Sequence, residues 1–294
     1  MSANPKYFIR SFGIEQTELW RRNALSWEKP FTTASDVTNY GKKAIWTING
    51  NAGWSKKEFK EISVPPGKYY PRMWRPNYAP FGGPYERALT KAEKIYVADA
   101  KAQLAVFCRE LDHICRSVHP DKSTLSVYGH NVRNLLISAC TEAEMHWTGV
   151  LRANNRSKTS STTDYVLLAA PLKLKDFQVH FWKYPQLGLF KPFARWRVGG
   201  KPTQDLPWYQ AYNLTKHDRE INFAKATLAH AFQAVAACAV MLVAQFGLQN
   251  AIGIATELSG HFYFEVVPEW GPQDQYVALF EHPQTDWEPL NFPW

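Results

Sequence analysis

The 294-residue sequence predicts a mainly α protein, a helical bundle with an N-terminal aromatic and basic extension and short accessory β-strands. Three observations lead there. Residues 207–247 form the most hydrophobic long stretch, and 234–244 contain no polar residue, the text of a helix buried on all sides. Two earlier stretches, 85–116 and 126–154, repeat apolar residues at intervals of three and four, which marks amphipathic helices. Before them, in residues 65–84, proline recurs too often for a helix interior or a central strand. The expected helices are 85–117, 126–154 and 206–246. They lie in a core spanning 85–260, preceded by an extension (1–84) packed on it and followed by short strands and a tail (261–294).

Taken in order, residues 14–27 place Leu19, Trp20 and Ala24 on one face and predict a short helix. KKAIWTINGNAGW then carries an Asn49-Gly50 turn signal, and EFKEISV supplies another strand, so a small hairpin or sheet is expected. The proline-rich stretch must run extended. In it Tyr69, Tyr70, Trp74, Tyr78 and Phe81 interleave with Lys68, Arg72 and Arg75. That composition suits a strap docked on the helical body. It also suits a groove that stacks bases on Trp74 and neutralises phosphates with Arg72 and Arg75.

Helix 85–117 carries Ile95, Ala105, Leu111 and Cys115 near one stripe, and Pro120 ends it. Helix 126–154 carries Val132, Leu135, Leu136, Ala139, Ala143, Trp147 and Leu151 on a face suited to an antiparallel partner. Residues 154–163 are a polar loop. DYVLLAAPLKL and DFQVHFWKYP then read as strands, a β insertion near 165–184. Asp205 is placed to cap the third helix, Pro207 falls in its first turn, and Asn222 restarts or kinks it. Two short strands come next in 261–282, and QTDWEPLNFPW is expected to dock loosely.

Hydrophobic residues at 45% and charged residues at 20% exclude a chain disordered throughout. The formal charge is +8, from 34 Lys/Arg against 26 Asp/Glu; residues 1–90 hold 14 against 7, leaving 20 against 19 for the rest. This N-terminal excess reads as a solvated basic surface, or as one for RNA or another nucleic acid or for an acidic lipid. Cys108, Cys115, Cys140 and Cys238 form no Cys-x-x-Cys pair and read as buried apolar residues in a reducing compartment. The N-terminus lacks a signal-peptide core, and the 234–244 run is short of the ~20 residues that span a bilayer. A cytoplasmic protein with no membrane partner is expected.

Chemistry is expected in the polar half of the third helix. There Asn213 stands one turn from His217, and Tyr212 one turn from Lys216. Histidine is readily poised for proton transfer near neutral pH, and Lys216 with Arg219 offers cations to a phosphate. The plain alternative is a hydrogen-bonded structural histidine. Glu142 or Glu144 is expected to pair with Lys216 or Arg219 across the bundle. Glu142 and His146 are spaced i,i+4 without a second close ligand pair, and no phosphate-cradling glycine loop is present, so neither a metal nor a cofactor is expected.

The segment resembles the HEPN superfamily, helical bundles in which an Arg, a polar residue, three variable residues and a His open a late helix. Asn213 matches the polar position, Leu214, Thr215 and Lys216 the spacer, and His217 the His; Tyr212 stands where nuclease members have Arg. The stretch Leu-Leu-Ile-Ser-Ala-Cys-Thr-Glu-Ala-Glu ending at Glu144 resembles the family's earlier bundle helix. The resemblance covers about residues 90–250. It implies metal-independent RNA cleavage, with His217, Asn213 and Tyr212 at the catalytic positions, in a site built by two protomers of a homodimer in a toxin or phage-defence setting. It is equally consistent with the family's non-catalytic members, which would make this a helical module binding a protein or nucleic acid.

Overall fold

The computed structural model describes residues 6–12, 16–22, 27–29, 32–34, 59–78, 87–156, 161–278 and 287–294. The Asn49-Gly50 turn and Phe81 lie outside them. The chain divides into two compact units: 1–69, 75–88 and 269–290 in the first, and 70–74, 89–268 and 291–294 in the second.

The first unit is built on a sheet of order β4-β3-β2-β1-β5, from β1 (Lys6–Phe12), β2 (Gln16–Arg22), β3 (Trp27–Lys29), β4 (Thr32–Ala34) and β5 (Phe59–Glu61). The helix expected over 14–27 is instead strand β2, antiparallel to β1 with Phe8 opposite Trp20 and Ile9 opposite Leu19. A neighbouring strand three residues away along the chain satisfies its backbone groups and overrides a weak helical period. EFKEISV supplies β5, as expected. Two further strands, β6 (Lys68–Tyr69) and β7 (Asn77–Tyr78), pair in parallel with residues from the far end of the chain, β11 (Glu288–Pro289) and β10 (Tyr276–Val277). Ile9, Ile62 and Val277 form the small core of this unit.

The second unit holds the helices. Helix α1 (Lys91–Ser117) begins at a capping box: the Glu93 N–H donates to Thr90 Oγ1 at 3.2 Å and the Thr90 N–H donates to Glu93 Oε2 at 2.8 Å. That box places the start six residues beyond the expected 85. Helix α2 (His130–Ala153) buries Val132, Leu135, Leu136, Ala139, Ala143, Trp147 and Leu151, the predicted face. The chain beyond α2 departs from the expected strands. DYVLLAAPLKL forms the short α3 (Thr162–Tyr165) and two 3-10 turns, with Lys173 at φ 48°. Within the expected β insertion only β8 (Gln178–Phe181) is extended, and it pairs antiparallel with β9 (Phe262–Val266).

The expected single helix 206–246 is three. Helix α4 (Pro207–His217) has Pro207 at its first position. Asp205 does not cap it, because its Oδ2 accepts the Lys201 N–H at 3.0 Å. Asp218 ends α4 and caps the one-turn α5 (Arg219–Asn222). The break therefore comes before Asn222, and Thr227, not Asn222, caps α6 (Leu228–Ala251). Helix α6 is the central element, buried at every residue from Ala234 to Gly247. It is long and apolar enough to cross a bilayer, yet 89% of its apolar window is buried inside the fold.

Gly247, at φ 79° and ψ 160°, interrupts α6. The break frees the carbonyl of Ala244, which accepts the Trp74 N–H at 3.0 Å, and the Trp74 indole occupies the space a β-carbon on Gly247 would need, 2.4 Å from Nε1. Residues 70–74 are thus a strap sealed onto the helices, with Tyr70 and Met73 buried. Asn154, at the end of α2, fastens it. Its Nδ2 donates to the Pro71 carbonyl at 2.9 Å, its Oδ1 accepts the Phe292 N–H at 3.2 Å, and its own carbonyl accepts Trp294 Nε1–H at 3.0 Å. The last residues, expected to be loosely docked, are held.

Candidate functional site

Helix α4 turns Trp208, Tyr209, Ala211, Tyr212 and Thr215 inward. They join a cluster centred on Trp147, whose ring lies 5.0–6.4 Å from those of Tyr165, Phe193, Trp196, Trp208 and Tyr209. Opposite this face, Asn213 is half-buried and Lys216 and His217 are exposed. Arg219 is exposed at the start of α5. The structure therefore brings Asn213 and His217 to the solvent-facing side of the last turns of α4, where the sequence placed them.

Tyr212 differs from the other site residues. It is 1% exposed, and its phenol oxygen accepts a hydrogen bond from Lys216 Nζ at 2.8 Å, the predicted i,i+4 neighbour. That bond raises the Lys216 pKa. One turn earlier, the Tyr209 hydroxyl donates to Glu144 Oε1 at 2.5 Å, and burial together with this carboxylate pushes the phenol's pKa far up. The ion pair expected between Glu142 or Glu144 and Lys216 or Arg219 is not what forms. Glu144 and Lys216 are each met by a tyrosine hydroxyl instead, and Glu142 approaches His146, with Nε2 and Oε1 3.5 Å apart.

The residues read from sequence as nucleic-acid ligands lie elsewhere. Arg75 belongs to the first unit, 7% exposed, with Nη1 donating to Ser63 Oγ at 3.0 Å and to the Asp274 carbonyl at 3.2 Å, over the rings of Trp270 and Tyr276. Arg72, in the strap, enters a polar pocket inside the helical unit. Its Nε donates to Gln245 Oε1 at 2.7 Å and its guanidinium lies 4.0 Å from the Tyr96 ring centroid. Trp74 packs on Gly247. All three residues thus act as anchors within their own units.

The Arg72 pocket fixes a protonation state by hydrogen-bond logic. Because Gln245 Oε1 accepts from Arg72, its Nε2 donates, to the Met241 carbonyl at 2.8 Å and to His146 Nδ1 at 3.0 Å. Tyr96 Oη reaches the same Nδ1 at 2.7 Å. Nδ1 is then an acceptor and Nε2, 3.5 Å from Glu142 Oε1, carries the proton. A neutral imidazole is what burial demands: desolvation, aided by the Arg72 charge, holds His146 down to about 3. Burial lowers Arg72, raises Glu142, and pushes Tyr96 up to about 12. Arg72 Nη2 and Glu142 Oε1 are both buried without a hydrogen-bond partner.

Sequence reading noticed Glu142 and His146 but missed Tyr96 and Gln245. The available signal was Gln245 itself, the one polar residue closing an apolar run. Among the described residues no group of three or more His, Cys, Asp and Glu is gathered as a metal would need. Compared with protein families, with curated proteins and with solved structures, the chain matches none of them.

Proposed function

We propose that the helical unit is an HEPN-like ribonuclease acting at the C-terminal end of α4. The observation that carries the reading is the exposed imidazole of His217 on the helix face it shares with Asn213. An imidazole in that position is open to water and to a polynucleotide, and its two ring nitrogens can take and return a proton. In this reading His217 removes the proton of a ribose 2′-hydroxyl. The oxygen attacks the adjacent phosphorus, the bond from phosphorus to the 5′-oxygen breaks, and the leaving oxygen takes up a proton. The products are a 2′,3′-cyclic phosphate and a 5′-hydroxyl. Lys216 and Arg219, both exposed, offset the charge gathering on the phosphoryl oxygens. Asn213 orients the phosphate, and a second protomer completes the site.

The test is RNA cleavage by the purified chain in EDTA, with His217→Ala beside it. Cleavage that the variant loses supports the reading; no cleavage by the wild type, or equal cleavage by the variant, refutes it.

A second reading is favoured by Tyr212. The position that carries Arg in nuclease members holds a phenol sealed in the bundle, so it offers no cation to a substrate. In that case the exposed face of α4 binds a protein or nucleic acid without cleaving it. RNA binding without cleavage, weakened and made less salt-dependent by Lys216→Ala with Arg219→Ala, would support it.

A further inference from the structure

The strand pair β8 and β9 has one closed side and one open side. Val179, Phe181 and Phe262 are buried, and the Phe181 ring packs 5.0 Å from that of Phe232 in α6. Side chains alternate across a strand, so the register that sets His180 opposite Tyr263 turns both rings outward. Trp182, just past the end of β8, joins them. It is 54% exposed and Tyr263 is 43% exposed.

The order of groups on this open side follows from their distances. The Trp182 and Tyr263 centroids are 4.9 Å apart, and the Tyr263 and His180 rings stack at 6.3 Å with their planes 28° apart. Glu265 comes next, its Oε2 4.0 Å from His180 Nε2, too far for a hydrogen bond. The row is therefore Trp182, Tyr263, His180, Glu265. Exposed apolar residues standing singly are ordinary, but large aromatic rings in contact on a surface mark an interaction site.

Charge decides what the row would accept. Histidines aside, residues 178–184 and 261–267 carry two charged side chains, Lys183 and Glu265. Lys183 is committed to Asp112 of α1. Among the described residues Glu265 is paired with no lysine or arginine, and the faces of the rings beside it are negative as well. A surface that stacks nucleic-acid bases also needs cations for the phosphates, whereas the charge left over here would repel them. A cation is the complementary ligand. Guanidinium is the cation that lies flat on aromatic rings and also forks onto a carboxylate; an ammonium is a point charge that does neither. We infer that this shelf docks an arginine side chain of a protein or peptide partner, the guanidinium over Tyr263 and His180 and bonded to Glu265, with Trp182 as the apolar floor for the flanking peptide. The shelf shares no residue with the His217 face, so the two readings stand or fall separately.

NMR titration of the full chain tests this, because the Trp182 indole N–H gives its own resonance, identified as the one missing from Trp182→Phe. The probes are a capped pentapeptide with one arginine among glycines, and the same peptide with lysine or with citrulline, the neutral isostere of arginine. The arginine peptide should shift the indole resonance saturably. The citrulline peptide should bind about tenfold or more weakly, and the lysine peptide should fall between them. Glu265→Gln should weaken the arginine peptide about tenfold and leave the citrulline peptide unchanged. Tyr263→Ala, also at an exposed position, should remove the preference for arginine over citrulline, while His217→Ala should bind as the wild type does. The inference is overturned if the arginine peptide gives no saturable shift, if citrulline binds as tightly, if Glu265→Gln leaves the arginine affinity unchanged, or if oligouridylate moves the indole resonance and the arginine peptide does not.

Discussion

Replacing Gly149 with Ala pits two opposing effects against each other, and the structure decides which wins. Gly149 lies inside α2, where Ala favours the helix by about 1 kcal/mol. A β-carbon there, however, would stand 2.0 Å from Arg72 Nη1 and 2.7 Å from its Cζ. An exposed arginine would swing aside at little cost. This one is pinned between the Tyr96 ring and Gln245. Moving it forfeits a charge-assisted hydrogen bond, about 1.5–3 kcal/mol, and a cation–π contact of about 0.5–2 kcal/mol. The net expectation is a loss of about 1–4 kcal/mol, read from urea unfolding followed by the helical circular dichroism. In an Arg72→Met background the clash is gone, and the same Gly149→Ala change should become neutral or stabilising by up to about 1 kcal/mol. If Gly149→Ala stabilises the wild type, or costs the same in both backgrounds, the guanidinium is not what fills that space.

Acid sensitivity should trace partly to His146. Its folded pKa, held down to about 3, lies below the unfolded value near 6.5. The unfolded chain therefore binds the proton first, and stability falls as pH drops from about 6.5 towards 3, by several kcal/mol in all. His230 and His261, also lowered by burial, act in the same direction, and Glu142, raised by burial, acts in the opposite one. His146→Asn should thus flatten the dependence of unfolding free energy on pH between 7 and 4 without abolishing it; an unchanged slope would rule His146 out. Gly247→Ala should destabilise by about 2 kcal/mol or more, since it combines a positive φ with a contact 2.4 Å from the Trp74 indole nitrogen. Trp74→Ala should recover only the contact part, and full recovery would mean the backbone is not strained. Asn154→Ala should cost about 1–3 kcal/mol by leaving the Pro71 carbonyl and the Phe292 N–H without their partner; in hydrogen exchange, faster exchange at Phe292 would be the local sign of it.

What could be read from the sequence was what neighbouring residues decide among themselves. Leu135, Leu136, Ala139, Ala143 and Trp147 lie within a few turns of each other, so their shared face shows in the text and in the structure. Tyr212 and Lys216 are likewise one turn apart, and they do meet. The start of α1 was equally local, in the Thr90–Glu93 box, but the apolar period upstream drew the expected boundary to 85. Segments settled by partners outside their own stretch depart from the local pattern, whether the partner is near in the chain or far. Residues 16–22 carry a helical spacing, yet they are a strand because β1 lies beside them. Arg72 reads locally as a phosphate ligand because Tyr70 and Trp74 stand two residues to either side of it. Its real partner, Gln245, is 173 residues away, and no local pattern records a contact of that range. The face of α4 with Asn213 and His217 was legible for the same reason the helices were. Tyr212 could not be judged from its own helix, because what seals it is the packing of α4 against the rest of the unit.

The knot of bonds at Asn154 also makes two segments far apart in the chain depend on one residue. Its side chain holds the Pro71 carbonyl and the Phe292 N–H, its own carbonyl holds the Trp294 indole, and the Tyr70 and Phe292 rings meet edge to face. Loosening either segment therefore loosens the hold on the other. Limited proteolysis should accordingly cut near Pro71 more readily when Phe292 and Trp294 are both replaced by Ala.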